Sequence, residues 1–265
     1  MGRVAALALA ASLLVAGIVS ARSEPVKIRA GWVSAPASLI PVLFAKPGIA
    51  RHHGQSYLLQ AVYFPSSPLQ ITALAAGELE IALLGYSSVS FAILNAGLRD
   101  LRVIADEIRD GAEDHFSVAY MVRKDSPIRA VADLKGKVVA TNGLGSGVYM
   151  GMRAMLQKSG LDERRDYTVI ETPFPNMKAI LLDRKADLVT VTVPFAFDPE
   201  RQAQARTLFT QRDAMGPVEL SFWSVRAGLI AKSRAAMVDL LEDYLRAVRW
   251  YRDPAHRAEA ISIIA

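Results

Sequence analysis

Cysteine is missing from all 265 residues. That absence excludes a disulfide framework, a cysteine nucleophile and the acceptor that a lipid-anchored exported protein needs. Long apolar runs are missing too, with one exception at the N-terminus. There Arg3 precedes an alanine-rich stretch from Val4 to Val19 that ends in Val19-Ser20-Ala21, the pattern of a cleaved secretory signal over residues 1–21. The stretch is too short and too rich in Ala and Gly for a membrane span, which needs about 20 strongly apolar residues. Cleavage after Ala21 removes 21 of the 265 residues, leaves 244, and takes the formal net charge from +5 to +4 with the loss of Arg3. A periplasmic monomer without an anchor is expected, held together by its core alone.

Clustered charge of one sign is lacking as well. The 31 basic and 26 acidic residues are interleaved, as in Asp162-Glu163-Arg164-Arg165-Asp166, which reads as a solvated turn and not as a phosphate-binding stripe. No nucleic-acid partner is expected. Catalytic signatures are missing in the same way: there is no P-loop and no G-x-S-x-G elbow. The run Asn142-Gly143-Leu144-Gly145-Ser146-Gly147 fails the dinucleotide spacing because Val148 stands where the last glycine belongs. His52-His53 precedes Gly54 in a turn, and adjacent side chains in an extended loop point apart, so no metal is expected there. These absences together predict a protein that is not an enzyme and carries no cofactor.

What the chain does have is an alternation of short β-rich runs with helical ones, the pattern of an α/β protein with largely parallel sheets. Strands are predicted at Val26 to Ala30, Tyr57 to Phe64 and Ile81 to Leu84, and helices at Leu39 to Ala45 and from an N-cap at Ser67 to Ala76. The same grammar returns with strand Val138 to Thr141, helix Val148 to Ser159, strand Tyr167 to Glu171, a helix from Asn176 to Asp183 and strand Leu188 to Val193. Pro68, Leu74, Glu80 and Ile81 recur as Pro175, Leu181, Asp187 and Leu188 at an offset of 107 residues, which points to two lobes of similar build. His115 to Arg123 and Leu220 to Ala231 read as β-like runs crossing between them, with a helix start at Ala130 to Leu134 and a long amphipathic helix from Ser233 to Tyr251. Lobe one is therefore expected over residues 25–116 plus 221–265, and lobe two over 117–220.

In open parallel sheets, ligands bind beyond the carboxyl ends of strands, where loops lead into helix N-termini. Four loops qualify: Gly31 to Ser38, Gly85-Tyr86-Ser87-Ser88, Gly143 to Val148, and Pro194-Phe195. None contains Lys, Arg, Asp or Glu. Backbone N–H groups, hydroxyls and helix dipoles suit a small anionic head group. Ser87, Ser88 and Ser146 are the foremost candidates to hold it, with Ser34, Ser66, Tyr86 and Gly145 in the same loops; an N-cap role is the alternative for each serine. Among aromatics, Trp32 is favoured as a shelf for an apolar body and Trp223 follows, with Tyr149 a further candidate. Asn176 fits either a helix cap or a ligand donor.

At these residues the sequence resembles the periplasmic binding proteins for sulfonates, taurine and nitrate, and the thiamine-precursor-binding relatives that share their fold (the NMT1/THI5-like group). The resemblance spans nearly the whole mature chain. It is carried by Ile28-Arg29-Ala30-Gly31-Trp32, Phe64-Pro65-Ser66-Ser67-Pro68, the segment Ala73 to Ile81, the segment Val131 to Ala140, and Gly145-Ser146 before a helix. It implies a type II periplasmic-binding-protein fold, two α/β lobes joined by a two-strand hinge that close on a solute. It also implies an ABC permease and ATPase as partners, and ligand contacts in the loops of Trp32, Ser87, Ser88, Ser146 and Pro194. Gly147-Val148-Tyr149 replaces more polar residues of the family, and Thr192-Val193-Pro194 lacks its acidic residue, so a sulfonate, taurine, a nitrate-like anion and an aromatic carboxylate all stay open as solutes. So do two other roles: a low-turnover enzyme of thiamine-pyrimidine type, and a ligand sensor for a signalling protein. The relatives continue past the position of Ile264-Ala265 with helices that pack on lobe one, which implies a shortened chain here.

Overall fold

The computed structural model describes residues 24–264 apart from Pro36 and Asp114. The expected signal segment, residues 1–21, lies outside the described residues. The chain opens with β1 (Val26–Trp32), α1 (Ile40–Ala45), β2 (Tyr57–Tyr63), α2 (Ser67–Ala75), β3 (Ile81–Gly85), α3 (Tyr86–Leu94) and β4 (Leu101–Asp110). Every residue of β3 is buried, as befits a central strand covered on both faces. Pro68 lies in the first turn of α2, where its missing N–H costs no hydrogen bond. The cap itself is Ser66, one residue before the position read from the sequence.

The middle of the chain supplies β5 (Val118–Arg123), β6 (Lys137–Thr141), α4 (Gly147–Lys158), β7 (Tyr167–Glu171), α5 (Met177–Leu182), β8 (Leu188–Thr192), α6 (Pro199–Gln204), β9 (Ala205–Thr210) and α7 (Gln211–Met215). It closes with β10 (Val218–Arg226), α8 (Ala227–Lys232), α9 (Arg234–Arg252) and α10 (Arg257–Ile264). Among the described residues no helix is long and apolar enough to cross a membrane.

The strands form two five-stranded sheets, ordered β2-β1-β3-β10-β4 and β7-β6-β8-β5-β9. In each, the first three strands are parallel and the fourth runs antiparallel to its neighbour. That fourth strand is contributed by the segment that has just crossed over: β5 follows β4 into the second sheet, and β10 follows β9 and α7 back into the first. The two crossings lie side by side, since Val218 pairs with Asp110. Asp110 is fully buried, and its Oδ2 accepts from the Ser117 N–H and hydroxyl, both at 2.6 Å, and from the Val118 N–H at 3.1 Å. One carboxylate thus fastens the end of β4 to the start of β5.

Lobe two has a single continuous core around Tyr120, Met152, Leu156 and Leu188. Lobe one has two, because alternate residues of β3 face opposite sides of its sheet: Ile81 and Leu83 pack with Trp223, Leu240 and Tyr244, while Ala82 and Leu84 pack with Leu74 and Ala92. Two readings from sequence need correction. The β-like run expected to Ala231 ends at Arg226, and Ala227–Lys232 is helix α8, which buries no residue fully and so offered no one-sided apolar stripe to read. The helix start expected at Ala130 is a single 3₁₀ turn, Val131–Leu134.

Candidate functional site

Three helices aim their N-termini into the gap between the sheets: α2 and α3 from lobe one, α4 from lobe two. Between them lies a cavity of about 60 Å³ lined by Val33, Ser34, Ser38, Ser67, Leu83, Gly85 and Ile108 from lobe one, by Asn142, Ser146, Gly147, Val148, Phe174 and Thr192 from lobe two, and by Leu220 and Ser221 of β10. None of these residues is ionisable. Leu220 and Ser221 reach the cavity through irregular pairing: Glu219 is opposite Arg109 and Ser221 opposite Ile108, so Leu220 has no partner across the ladder. A bulge of this kind re-aims side chains locally. Ser221 is 6% exposed and its hydroxyl has no hydrogen-bond partner.

The lobes meet around this cavity through side-chain donors on backbone acceptors. Tyr86 Oη donates to the Gly147 carbonyl at 3.0 Å, and the Ser87 and Ser88 hydroxyls donate to the Gly145 carbonyl at 2.9 and 3.1 Å. Asn142 Nδ2 donates to the Pro65 carbonyl at 3.2 Å, and Ser34 Oγ stands 3.5 Å from the Val193 carbonyl. Burial pushes the Tyr86 phenol above its usual range, so it stays a donor. Glycines allow the approach. A Cβ on Gly85 would sit 3.0 Å from the Gly147 N atom, and a Cβ on Gly143 would sit 2.6 Å from Ser66 Cβ. Gly145 has φ of +86° and lies against Phe91 and Pro68 of lobe one, a conformation and a proximity that both exclude a side chain.

The electrostatic consequence is specific. Gly85 is the N-cap of α3 and Gly147 opens α4, so two helix N-termini, each equivalent to about half a positive charge, are held nearly in contact from opposite lobes. The α2 and α3 termini have no side-chain cap. Their first-turn N–H groups have no partner within the helix.

Of the residues singled out by sequence, Ser34 and Ser146 line the cavity. Tyr86, Ser87, Ser88 and Gly145 form the lobe contact just described, and Ser66 abuts Gly143 across it. The hydrogens of Ser87 and Ser88 are engaged at Gly145. Ser146 is a helix cap: its Oγ accepts the Tyr149 N–H at 3.2 Å and donates to Asn142 Oδ1 at 3.0 Å. The other candidates lie elsewhere. Trp32 packs edge-on against Tyr63, and Trp223 is fully buried against Tyr244 in the lobe-one core. The Tyr149 hydroxyl is held by Glu163 at 2.6 Å. Asn176 is exposed at the start of α5 and makes no side-chain cap bond. Pro194 is exposed and borders a different crevice, with Tyr251, Arg257 and Ile264. Ser38, Ser67, Thr192 and Ser221 were missed as individual candidates; the expected loop did include Ser38, but residue type gave no reason to single it out.

His52 stands with Asp239 and Glu242, and one ring nitrogen and one oxygen of each carboxylate lie within 4.8 Å of one another, a grouping that could hold a metal ion. Its Nδ1 lies 3.9 Å from Asp239 and its Nε2 3.2 Å from Glu242, so the ring bridges two carboxylates on α9.

A model of the NMT1-like family matches residues 21–265. Among solved structures, the chain is similar to the alkanesulfonate-binding protein SsuA from Xanthomonas axonopodis pv. citri bound to MOPS, at 23% identity and a TM-score of 0.74, over 91% of this chain and 78% of that one. It is similar to the periplasmic aliphatic sulphonate binding protein SsuA from Escherichia coli at 22% identity and a TM-score of 0.67, over 90% and 73%. The periplasmic nitrate-binding protein NrtA from Synechocystis PCC 6803 matches at 16% identity and a TM-score of 0.72, over 91% and 66%. At these identities the likeness establishes the type II periplasmic-binding fold.

Proposed function

The chain belongs to the NMT1-like family, and from that premise we propose that it is an extracytoplasmic solute-binding protein that captures a compact organic or inorganic anion between its lobes and presents it to an ABC permease and ATPase. The observation that carries this reading is the near-contact of the α3 and α4 N-termini at Gly85 and Gly147, beside an uncharged cavity. Like-poled helix ends repel when brought together, and an anion lodged between them turns that repulsion into attraction for both. Closure is therefore coupled to anion binding: the solute touches both termini only in the closed form, and its differential affinity shifts the equilibrium.

Size narrows the solute. A water position needs at least 10–15 Å³, so the cavity of about 60 Å³ offers roughly four to six such positions. That favours nitrate or a short sulfonate over an aromatic carboxylate. The lining has no side chain suited to proton transfer, which supports capture without conversion. Residence in the periplasm follows from the same reading, as do action as a monomer and handover to an importer.

The test is a thermal-shift and calorimetric screen with nitrate, methanesulfonate, taurine, benzoate and tetramethylammonium, followed by small-angle scattering at saturation. At a hundred times Kd a ligand contributes about 2.7 kcal/mol, on the order of 5–10 °C in Tm for a chain of this size. Compact anions should give that shift and a smaller radius of gyration. Preference for the cation, or an unchanged radius at saturation, would overturn the reading.

A further inference from the structure

The lobe-one wall of the cavity rests on a carboxyl group that the cavity itself does not display. Ser38 lines the cavity and is fully buried. The next residue, Leu39, donates its backbone N–H to Glu107 Oε1 at 3.1 Å. Glu107 is the extra residue of a second bulge, because Ser221 pairs with Ile108 and Phe222 with Asp106; the irregularity turns its carboxyl toward the loop that follows β1. The Ser38 hydroxyl and the Trp223 indole N–H both face this carboxyl and favour its ionised form. Even so, Ser38 Oγ, Trp223 Nε1 and Glu107 Oε2 are all buried and outside hydrogen-bond geometry. Burial outweighs the donors and pushes Glu107 up to about 7.

We propose that Glu107 is a proton-linked positioning residue for anion capture, whose protonation decides whether the Ser38 hydroxyl donates into the cavity or away from it. When Glu107 is ionised it accepts from the Leu39 N–H, and small rotations let it accept from Ser38 and Trp223. The Ser38 hydrogen then points away from the cavity, and a negative charge stands behind its wall. When Glu107 takes a proton from solvent, the charge disappears and the new O–H donates to Ser38 Oγ. The Ser38 hydrogen is thereby released toward the bound anion. One proton is taken up, and nothing else is gained or lost.

The surrounding charges define the setting. On β4 the neighbours are Asp106 and Arg109, the latter paired with Glu219 of β10 at 3.3 Å. From α9, Tyr244 donates to the Asp106 carbonyl at 3.0 Å, and burial followed by the charge of Glu107 pushes its phenol up. Tyr251 and Arg252 line a crevice together with Asp106, Glu107 and Arg109. The sign follows: anion affinity rises as pH falls through 7.

This inference rests on anion capture in the cleft, so its experiment has one arm that needs no solute. Tryptophan emission of the free protein is followed from pH 5.5 to 8.5. A transition centred near pH 7 is expected, absent in Trp223→Phe and in Glu107→Gln. In the second arm, nitrate and methanesulfonate are titrated over the same range. Affinity for whichever binds should fall at least tenfold between pH 6 and 8.5 in the unmodified protein. It should stay near its low-pH value in Glu107→Gln, and its fall should shrink to no more than about two- to threefold in Ser38→Ala, which keeps the emission transition and the Glu107 charge but has no hydroxyl to turn. An emission profile without a transition, or one that Glu107→Gln leaves intact, overturns the role of Glu107 whatever binds. A normal emission transition with pH-independent affinity overturns the link to the cavity. Silence of both anions at every pH, with the emission transition intact, overturns the capture reading and the link with it.

Discussion

The two lobes share one strand order, yet they finish the helices that face the cleft in opposite ways. Lobe two closes the N-terminus of α4 with Ser146, whose hydroxyl accepts from the Tyr149 N–H and spends its one hydrogen on Asn142. Lobe one leaves α2 and α3 without side-chain caps and sends the hydroxyls at the head of α3 across the gap to lobe two. Similar folds therefore have unequal parts. On the proposed reading, the uncapped first-turn N–H groups of lobe one would receive the anion, and the Gly145 and Gly147 carbonyls of lobe two would accept the closing bonds. The lobes also differ in how they are built: lobe two is one stretch of chain with one core, whereas lobe one gathers distant segments around buried polar anchors.

The sharpest of those anchors is Asp243, on α9 and fully buried. It accepts from the Arg51 N–H at 3.0 Å, the His52 N–H at 2.9 Å and the Tyr57 hydroxyl at 2.7 Å, and it pairs with Arg246. Asp243→Ala leaves those donors without their acceptor and removes the counter-charge of Arg246, whose guanidinium keeps the Ile49 carbonyl at 3.2 Å. It should destabilise lobe one by about 3–5 kcal/mol, seen as an early urea transition while the amides of β6 and β8 keep their hydrogen-exchange protection. Equal loss of protection in both lobes would mean that they do not fold as separate units.

A smaller effect is expected where the lobes touch. Gly143→Ala places a Cβ 2.6 Å from Ser66 Cβ, a distance that forces the lobes apart. Solute affinity should drop about a hundredfold, equivalent to about 2.7 kcal/mol, with the melting temperature of the free protein unchanged. Gly143→Ala with Ser66→Gly should recover most of the affinity. Failure of that rescue would show that Gly143 matters for its own lobe and not for the encounter.

Much of this was legible in the sequence. The β-rich runs read at Val26 to Ala30 and Leu188 to Val193, the Ser-Pro helix start at 67–68 and the offset repeat point to both sheets, because burial in a sheet leaves a mark on residue type. The segments 86–114 and 196–217 gave no such mark: α6 and α7 are helices of only six and five residues, and β9, Ala-Arg-Thr-Leu-Phe-Thr at a sheet edge, shows no regular alternation. The site was legible as loops and not as side chains. Position after a strand singled out Ser34 and Ser146, which line the cavity, but it does not reveal whether a hydroxyl faces solute or backbone. Trp32 and Trp223 went to core packing, the ordinary fate of a large apolar ring at a strand end. Ser221 and Glu107 depend on bulges between β4 and β10, strands that meet only because the chain crosses twice, and no local pattern announces them.

The smallest effects test the contrast in capping most directly. Ser146→Ala removes a cap whose one hydrogen is spent within lobe two, so it should lower lobe-two stability by about 1 kcal/mol and leave solute affinity within a factor of two or three. Ser87→Ala with Ser88→Ala removes two donors used only between lobes; lobe-one stability should stay unchanged, and affinity should fall about tenfold because the closed form loses bonds the open form never had. Calorimetric titration beside urea denaturation separates the two quantities for each variant. If Ser146→Ala weakens binding as much as the Ser87 and Ser88 pair, both lobes offer hydroxyls to the solute and the division between receiving and closing faces does not hold.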